Sequence, residues 1–272
     1  MPVVPAGWTR VFSDDFATPT AFGTNPPGWY GPYSSGTGDT SNRRGQGRGI
    51  WLNSQSVMVG PGKSGDGFQV PSGVLDIWQH VANGTPISGL LIPDLPNYNA
   101  NQGLTQECVA FVFRVVPNAA AGWKIVPLLW NDNDQGNEEV DSPEIEFTQN
   151  TVTTAVIFHD GNYVVPYFGY FNSQLGYSLN TGSYGIDLSK WTEWQTCRTN
   201  GKLTVTINGQ LAFTATNGET FDQWGQTVTV TVPATSMHWV LQTETTTKFT
   251  QPSASSADHV EFDWVQITTP GS

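Results

Sequence analysis

The stretch NEEVDSPEIEF, residues 137–147, contains four glutamates and one aspartate. Only 12% of the 272 residues are charged, so an acidic run of this density is unusual for the chain. Side chains of a β-strand alternate between the two faces of its sheet, so a regular strand would separate Glu144 from Glu139 and Asp141. A β-bulge adds one residue and would return Glu144 to their side. Pro143 lies where that bulge is needed, and proline is tolerated at bulges and edges.

Three carboxyl groups on one face would form a chemically useful set. Like charges held close together raise at least one pKa, so one group can stay protonated near neutral pH as a general acid. Two carboxyl groups about 5 Å apart suit a retaining glycosidase, in which one is the nucleophile and the other the acid/base. The charge spacing alone is equally compatible with a solvated sheet edge or a calcium site.

Strand patterns dominate the rest of the chain, and helical periodicity is almost absent. Asn208-Gly209, between KLTVTI and QLAFTAT, predicts a hairpin with a type I′ turn. The pattern predicts an all-β protein, a two-sheet antiparallel sandwich formed as a single domain by residues 1–272.

Residues 20–66 differ from this pattern because they are rich in Gly, Ser, Asn and Pro. Long loops in compact domains are usually functional or disordered, so we expect this segment to be largely loop and to wall a binding face. Its aromatic residues include Trp29, Tyr33 and Trp51, and we place Trp51 among the candidate sugar-binding residues.

Bulk composition excludes some partners. The net charge of −12 argues against nucleic acid and anionic membranes, which require a basic surface. No apolar run approaches the length of a membrane span, so we expect no membrane insertion. The 11 tryptophans suit either sugar stacking or a packed core. Cys108 and Cys197 are the two cysteines, and the sequence leaves open whether they form a disulfide.

Five segments resemble glycoside hydrolase family 16, the laminarinase-like β-glucanases, in the order of that family. The acidic motif EVDSPE fits the family signature E-x-D-x-x-E, and PLLW lies where members carry a Pro-Ala-x-Trp segment. The other segments look like the opening strand, an early strand and the closing strand. The five are GWTRVFSDDF (7–16), PSGVLDI (71–77), PLLW (127–130), EVDSPE (139–144) and HVEFDWVQI (259–267).

The resemblance implies a β-jelly roll with a cleft on its concave sheet and endo-acting, retaining hydrolysis of a β-linked polysaccharide. A β-1,3- or mixed-linkage glucan is the expected substrate. In position, Glu139 matches the nucleophile, Asp141 the assisting acid and Glu144 the acid/base. Trp130 matches a tryptophan that stacks on sugar, and His159 resembles a cleft histidine.

The resemblance implies no cofactor for catalysis, but it does imply a structural calcium ion with Asp263 among its ligands. The ordinary alternative for Asp263 is a buried, hydrogen-bonded aspartate.

The chain departs from the family pattern around the expected sugar subsites. Val126 stands where members commonly carry a second tryptophan, and Trp123 is the nearest candidate to replace it. Gln242 and Glu244 alternate to one face of a later strand and are further candidates to line the cleft.

A non-catalytic carbohydrate-binding module is the competing hypothesis, because the same fold can serve either role. We expect a monomer that acts outside the cell. The N-terminal MPVVPAGW has no signal-peptide pattern, which fits a mature secreted form or, alternatively, a phage virion protein.

Overall fold

The computed structural model describes residues 1–31, 50–95, 103–116, 120–131, 138–147, 152–160, 174–178, 184, 186–223, 226–245 and 252–271. A 3₁₀ helix covers Asn53–Gln55, and the regular structure is otherwise β. The strands are β1 Trp8–Asp14, β2 Trp29–Tyr30, β3 Ile50–Trp51, β4 Val57–Val59, β5 Gly62–Lys63, β6 Gln69–Val70, β7 Leu75–Ala82, β8 Thr85–Ser88, β9 Leu90–Pro93, β10 Glu107–Val116, β11 Trp123–Ile125, β12 Leu128–Asn131, β13 Glu138–Phe147, β14 Val152–Asp160, β15 Gln174–Ser178, β16 Thr192–Thr199, β17 Lys202–Ile207, β18 Gln210–Thr216, β19 Thr220–Gln223, β20 Gln226–Thr229, β21 Met237–Thr245 and β22 Ala257–Pro270.

Two large sheets form the molecule. Within the described ranges, sheet 1 has ten strands in the order β18-β17-β16-β10-β22-β7-β8-β3, with β1 on β22 and β4 on β7. Sheet 2 has eight described strands in the order β15-β14-β13-β11-β21-β9-β2, and β12 continues beyond β11 between β13 and β21. The large sheets pair antiparallel apart from the short parallel contact of β3 with β8. This is the two-sheet antiparallel sandwich that the strand pattern predicts, with the β-jelly-roll architecture that the resemblance implies.

The hydrophobic core lies between the two sheets. Strand β16 alternates buried and half-buried residues along its whole length, which is the pattern of a strand with one face on a core. Phe111 of sheet 1 and Trp239 of sheet 2 meet with ring centroids 5.6 Å apart. A fully buried large apolar side chain of this kind contributes about 1.5–3 kcal/mol. The core therefore fixes which face of each strand remains available for a site.

The predicted hairpin turn at Asn208-Gly209 is confirmed. It joins β17 to β18, and φ is 49° at Asn208 and 74° at Gly209, as a type I′ turn requires. Asn83-Gly84 and Asn200-Gly201 have the same pair of positive φ angles and join β7 to β8 and β16 to β17.

The segment 20–66, which is expected to be largely loop, also contributes short strands to the sheets. Its described parts contain β2, β3, β4 and β5, which pair into the structure. Trp29 and Trp51 are buried in the core, at 5% and 7% exposure. The indole N–H of Trp51 donates to the carbonyl of Thr243 at 2.9 Å. The expectation that Trp51 binds sugar is therefore wrong, because its ring is covered by protein. Tyr33 lies outside the described residues.

Cys108 and Cys197 form a disulfide, which settles the question left open by the sequence. The two residues are directly opposite each other on the neighbouring strands β10 and β16 of sheet 1. The bond thus ties the β16–β18 edge of the sheet to its centre. Among the helices in the described part of the chain, none is long and apolar enough to cross a membrane.

Candidate active site

Strand β13 contains the bulge that the acidic stretch requires. Asp141 pairs with Ile157 of β14 and Glu144 pairs with Ala155, so three steps along β13 match two along β14. One residue of β13 is therefore extra, and it lies in the segment Ser142-Pro143, whose peptide bond is cis. The predicted bulge is confirmed.

The bulge places the three predicted acids on one side of sheet 2. Val140, Ile145 and Phe147 are buried in the core cluster, so they define the inward face on either side of the bulge. Glu139 and Asp141 alternate with Val140, and Glu144 alternates with Ile145. All three carboxyl groups therefore belong to the outward face of sheet 2, opposite the core.

A row of candidate site residues crosses sheet 2 at Glu139. Trp130 of β12 pairs with Glu139, and on its other side it pairs with His238 of β21. His159 of β14 pairs with Glu139 from the opposite edge; its strand position is described, but its side chain is not. Trp130 is half-buried, so its side chain is not fully covered by protein. The register thus brings Trp130 and the position of His159 to either side of Glu139.

Asp141 lies in a more apolar row. It pairs with Leu128 on one side and Ile157 on the other, and its own exposure is 5%. Burial raises the pKa of Asp141 well above its usual range, and the charges of Glu139 and Glu144 and a side-chain hydrogen bond with Glu139 raise it further. Asp141 is therefore suited to hold a proton and donate it in a hydrogen bond to Glu139.

Lys124 occupies the far end of the same face. Its ammonium nitrogen lies 2.9 Å from Glu144 Oε1 and 2.6 Å from Glu244 Oε1. Gln242, at 9% exposure, alternates with the core residue Leu241 and belongs to the same outward face. The structure thus brings Gln242 and Glu244 to the face of the acids, as the sequence predicts.

Trp123 does not belong to this face. Its exposure is 0%, it is part of the core cluster, and its indole N–H donates to Ser256 Oγ at 2.9 Å. The expectation that Trp123 stacks on a sugar is wrong, because the ring points into the sandwich.

Asp263 is the extra residue of a second bulge, in β22, where Val112 pairs with Trp264 and Phe113 pairs with Phe262. It is exposed, so the alternative of a buried, hydrogen-bonded aspartate is wrong. Among the residues that the structure describes, no group of three or more His, Cys, Asp and Glu side chains could hold a metal ion. Asp263 thus offers a single exposed carboxylate, which does not by itself fit a calcium site.

Sequence reasoning missed three residues that shape the site. Lys124 and His238 are single polar residues within apolar runs, and only the strand register shows that they face the acids. Gln79 belongs to sheet 1, yet its amide donates to the backbone carbonyls of Lys124 and Glu244 at 3.3 and 3.2 Å. No sequence signal indicates that contact, since Gln79 is 45 and 165 residues away from its two partners.

Solved structures share this architecture. SCLam, a non-specific endo-β-1,3(4)-glucanase from glycoside hydrolase family 16, superposes with a TM-score of 0.65 and 16% identity over 99% of this chain and 94% of that chain. LamAcat from Zobellia galactanivorans gives 0.60 and 16% over 96% and 98% of the two chains. A pseudo β-1,3-glucanase of Mycobacterium tuberculosis, also described as an immunostimulatory antigen, gives 0.61 and 18% over 97% and 99%.

These similarities establish the fold. No family model matches the sequence, and no curated protein matches it significantly. The chain therefore has the sandwich of family 16 glucanases over nearly its full length. Because this group of structures includes a pseudo-glucanase, the shared fold does not by itself establish activity.

Proposed function

We propose that this protein is an endo-acting, retaining hydrolase of a β-linked polysaccharide, with a β-1,3- or mixed-linkage glucan as substrate. The observation that carries the proposal is the bulge in β13, which puts Glu139, Asp141 and Glu144 together on the face of sheet 2 opposite the core. A regular strand would have sent Glu144 into the core.

The reaction proceeds in two displacements. Glu144 donates its proton to the glycosidic oxygen while the Glu139 carboxylate attacks the anomeric carbon, so the leaving sugar departs with a new hydroxyl group. Glu144, now ionised, then removes a proton from water, and the resulting nucleophile attacks the same carbon and frees Glu139. Two inversions give net retention of configuration.

Asp141 assists Glu139 rather than reacting itself. Burial and the acidic neighbours of Asp141 raise its pKa, which favours its protonated form. A protonated Asp141 donates a hydrogen bond to the Glu139 carboxylate. A neutral Asp141 does not place a second full negative charge beside Glu139, and its hydrogen bond holds the Glu139 carboxylate in place.

A neutral glucan suits the face around these acids. Glutamates outnumber the single described lysine in contact with them, so an anionic polysaccharide would meet repulsion. Trp130 offers a half-buried ring next to Glu139 for stacking on a sugar, Gln242 and Glu244 supply polar groups along the face, and the strand position of His159 lies opposite Glu139. The protein from Zobellia galactanivorans has been crystallised with laminaritriose and laminaritetraose, which supports a β-1,3-glucan.

The setting of the enzyme is part of the proposal. A disulfide between Cys108 and Cys197 fits an oxidising environment, so we place the protein outside the cell, with a virion-associated protein as the alternative. We expect it to act as a monomer. A calcium ion at Asp263 would be structural and would play no part in the two displacements.

A glycan-binding protein without activity is the second candidate. The contact of Lys124 with Glu144 favours it, because an ammonium group beside a carboxyl group favours the ionised form, which cannot act as an acid. The pseudo β-1,3-glucanase with the same fold also favours this candidate.

Reducing-sugar release from laminarin, lichenan, agarose and carrageenan separates the candidates. We expect release from the first two, and Glu139→Gln should reduce it at least 10³-fold, on the order of the loss of a nucleophile. Glu138→Gln is the matched control, since Glu138 contacts Asn131 and Thr235 instead of the triad. Binding of laminarin without release by the unmodified protein would refute the hydrolase and support the glycan-binding protein.

A further inference from the structure

Lys124 is a buried cation on the face that carries the three acids. Trp123 and Ile125 flank it in β11 and both belong to the core, so Lys124 points outward. Only 7% of its side chain is exposed, compared with 15% for Glu144 and 25% for Glu244. Because water reaches the ammonium group poorly, these two carboxylates provide most of the compensation for its charge.

The charge on Lys124 is permanent in the working pH range. Burial by itself would lower the pKa of Lys124, but the charges of Glu144 and Glu244, with the hydrogen bond that Lys124 donates to Glu244, raise it above its ordinary value. One ammonium group is thus shared between two carboxyl groups. When both are ionised, the trio has a net charge of about −1.

The backbone beneath this contact is held by the opposite sheet. Gln79 of β7 is fully buried, and its amide donates to the carbonyl of Lys124 at 3.3 Å and to that of Glu244 at 3.2 Å. Lys124 and Glu244 are also directly paired residues of β11 and β21. The backbones of Lys124 and Glu244 are therefore fixed and their side chains are in close contact. Together these features hold the two side chains in a defined geometry.

Glu144 is the member of this trio that has to change its protonation state. An ammonium group in contact with a carboxyl group favours the ionised form, whereas a general acid must hold a proton when substrate binds. Glu244 competes for the same ammonium group, so it weakens the stabilisation that Lys124 gives to the ionised form of Glu144.

We propose that Lys124 and Glu244 are a positioning pair that orients the carboxyl group of Glu144 and sets the pH range in which it holds its proton. The catalytic meaning of this pair rests on the proposed function, whereas the charge coupling among the three groups does not. Lys124 is a positioning residue because it acts through Glu144.

Other ionisable groups on this face also influence the protonation of Glu144 through their charges. Those on β13 are acidic and oppose its ionisation, while Ala155, directly opposite Glu144 on β14, carries no charge. The remaining ionisable residues whose strand positions fall on this face are Glu139, Asp141 and Glu146 on β13, His159 on β14 and His238 on β21.

Titration of Glu144 in two variants tests the pair, because the two changes predict opposite directions. The protein is labelled with ¹³C at glutamate side-chain carboxyl carbons, and the Glu144 signal is assigned by its loss in Glu144→Gln. Lys124→Met removes the ammonium group, so the titration midpoint of Glu144 should rise by about 1 pH unit or more. Glu244→Gln leaves Glu144 as the sole carboxylate partner of Lys124, so the midpoint should fall by a similar amount, about 1 unit.

The pH profile of kcat/KM on laminarin gives the second readout. Its limb at high pH, where the general acid loses its proton, should move up in Lys124→Met and down in Glu244→Gln. Lys190→Met is the matched control, since Lys190 is 78% exposed and pairs with Asp187 away from this face. It should move neither the Glu144 signal nor the pH profile.

Midpoints that change by less than about 0.3 pH unit, or that move in the same direction in both variants, would overturn the pair. If Lys124→Met fails to fold, a fall of the midpoint in Glu244→Gln supports the pair and no change refutes it. Shifted midpoints in a protein that releases no sugar would uphold the charge coupling and refute the hydrolase. An active enzyme whose Glu144 midpoint is the same in both variants would support the hydrolase and refute the charge coupling.

Discussion

The hydroxyl groups of Ser142 and Thr196 lie 2.6 Å apart in the interior of the sandwich. Ser142 belongs to the bulge of β13 in sheet 2, and Thr196 belongs to β16 in sheet 1. The indole N–H of Trp194 lies 3.1 Å from each of the two oxygen atoms. A buried polar network of three side chains therefore anchors the bulge to the opposite sheet.

Removing one hydroxyl group from this network should destabilise the fold. Ser142→Ala deprives Thr196 and Trp194 of a buried partner, and we expect the free energy of unfolding to fall by about 1–2 kcal/mol. Urea denaturation of Ser142→Ala, Thr196→Val and the double variant provides the test. The double variant should lose less than the sum of the single losses, since both changes remove the same contact. Strictly additive losses would mean that the two hydroxyl groups do not interact.

Stability should fall as the pH rises from about 4 to 8. Burial raises the pKa of Asp76 to about 6 and that of Asp258 to about 7, above the unfolded value of about 4. The pKa of His259 is also raised, because the hydrogen bond and charge of Asp76 outweigh the opposing effect of burial. A group whose pKa is raised on folding stabilises the protein below its unfolded pKa, and this contribution is lost as the pH rises through the folded pKa.

Urea denaturation at pH 5 and pH 8 measures this effect, and we expect at least about 1 kcal/mol more stability at pH 5. Asp66 acts in the opposite sense, since contacts with Ser64, Phe68 and His259 lower its pKa despite burial, but its contribution is lost only on acidification below about pH 4. Asp258→Asn should reduce the difference between the two pH values. Greater stability at pH 8 than at pH 5 would contradict the prediction.

The disulfide between Cys108 and Cys197 should contribute substantially to stability. It closes a loop with a sequence separation of 89 residues, and such cross-links typically contribute about 2–4 kcal/mol. We expect the variant with both cysteines replaced by alanine to unfold at a correspondingly lower urea concentration. A reductant should destabilise the unmodified protein and leave the double variant unaffected. Equal sensitivity of both proteins to reductant would show that the bond has no such role.

Trp130 should contribute to sugar binding. Its half-buried ring lies beside Glu139, so Trp130→Ala should raise KM for laminarin about tenfold, or about 1.4 kcal/mol. Trp130→Phe should retain part of the affinity because it keeps an aromatic face. Trp191→Ala is the control, since Trp191 is exposed and lies against Arg114 of sheet 1. An equal effect of both alanine variants would exclude a specific role for Trp130.

The acidic strand shows why part of the site could be predicted from sequence. Strand alternation is a local rule, so the conflict between Glu139 and Glu144 could be recognised within one segment, together with the proline that resolves it. The same rule separates Trp123 from Trp130, which lie seven residues apart and therefore face opposite sides of a regular strand. Alternation does not say which of the two tryptophans points toward the core, and the sugar-binding role predicted for Trp123 was wrong for that reason.

Lys124 could not be predicted because its partners depend on strand order. Glu144 and Glu244 lie 20 and 120 residues further along the chain, and they meet Lys124 only because β11 lies between β13 and β21. Sequence patterns predict strands and short turns, whereas the pairing of distant strands is decided by packing of the whole sandwich. The burial of Trp51 depends in the same way on contacts with β21.

Strand β22 has a consequence for how the protein acquires this structure. It follows all other strands in sequence, yet it lies between β10 and β7 in sheet 1 and also pairs with β1. The β16–β18 meander can form early because its turns are two residues long, but the centre of the sheet stays open until β22 has been synthesised. The sandwich can therefore close only once β22 is available, and until then the edges of β7 and β10 that pair with it are open to pairing with other chains.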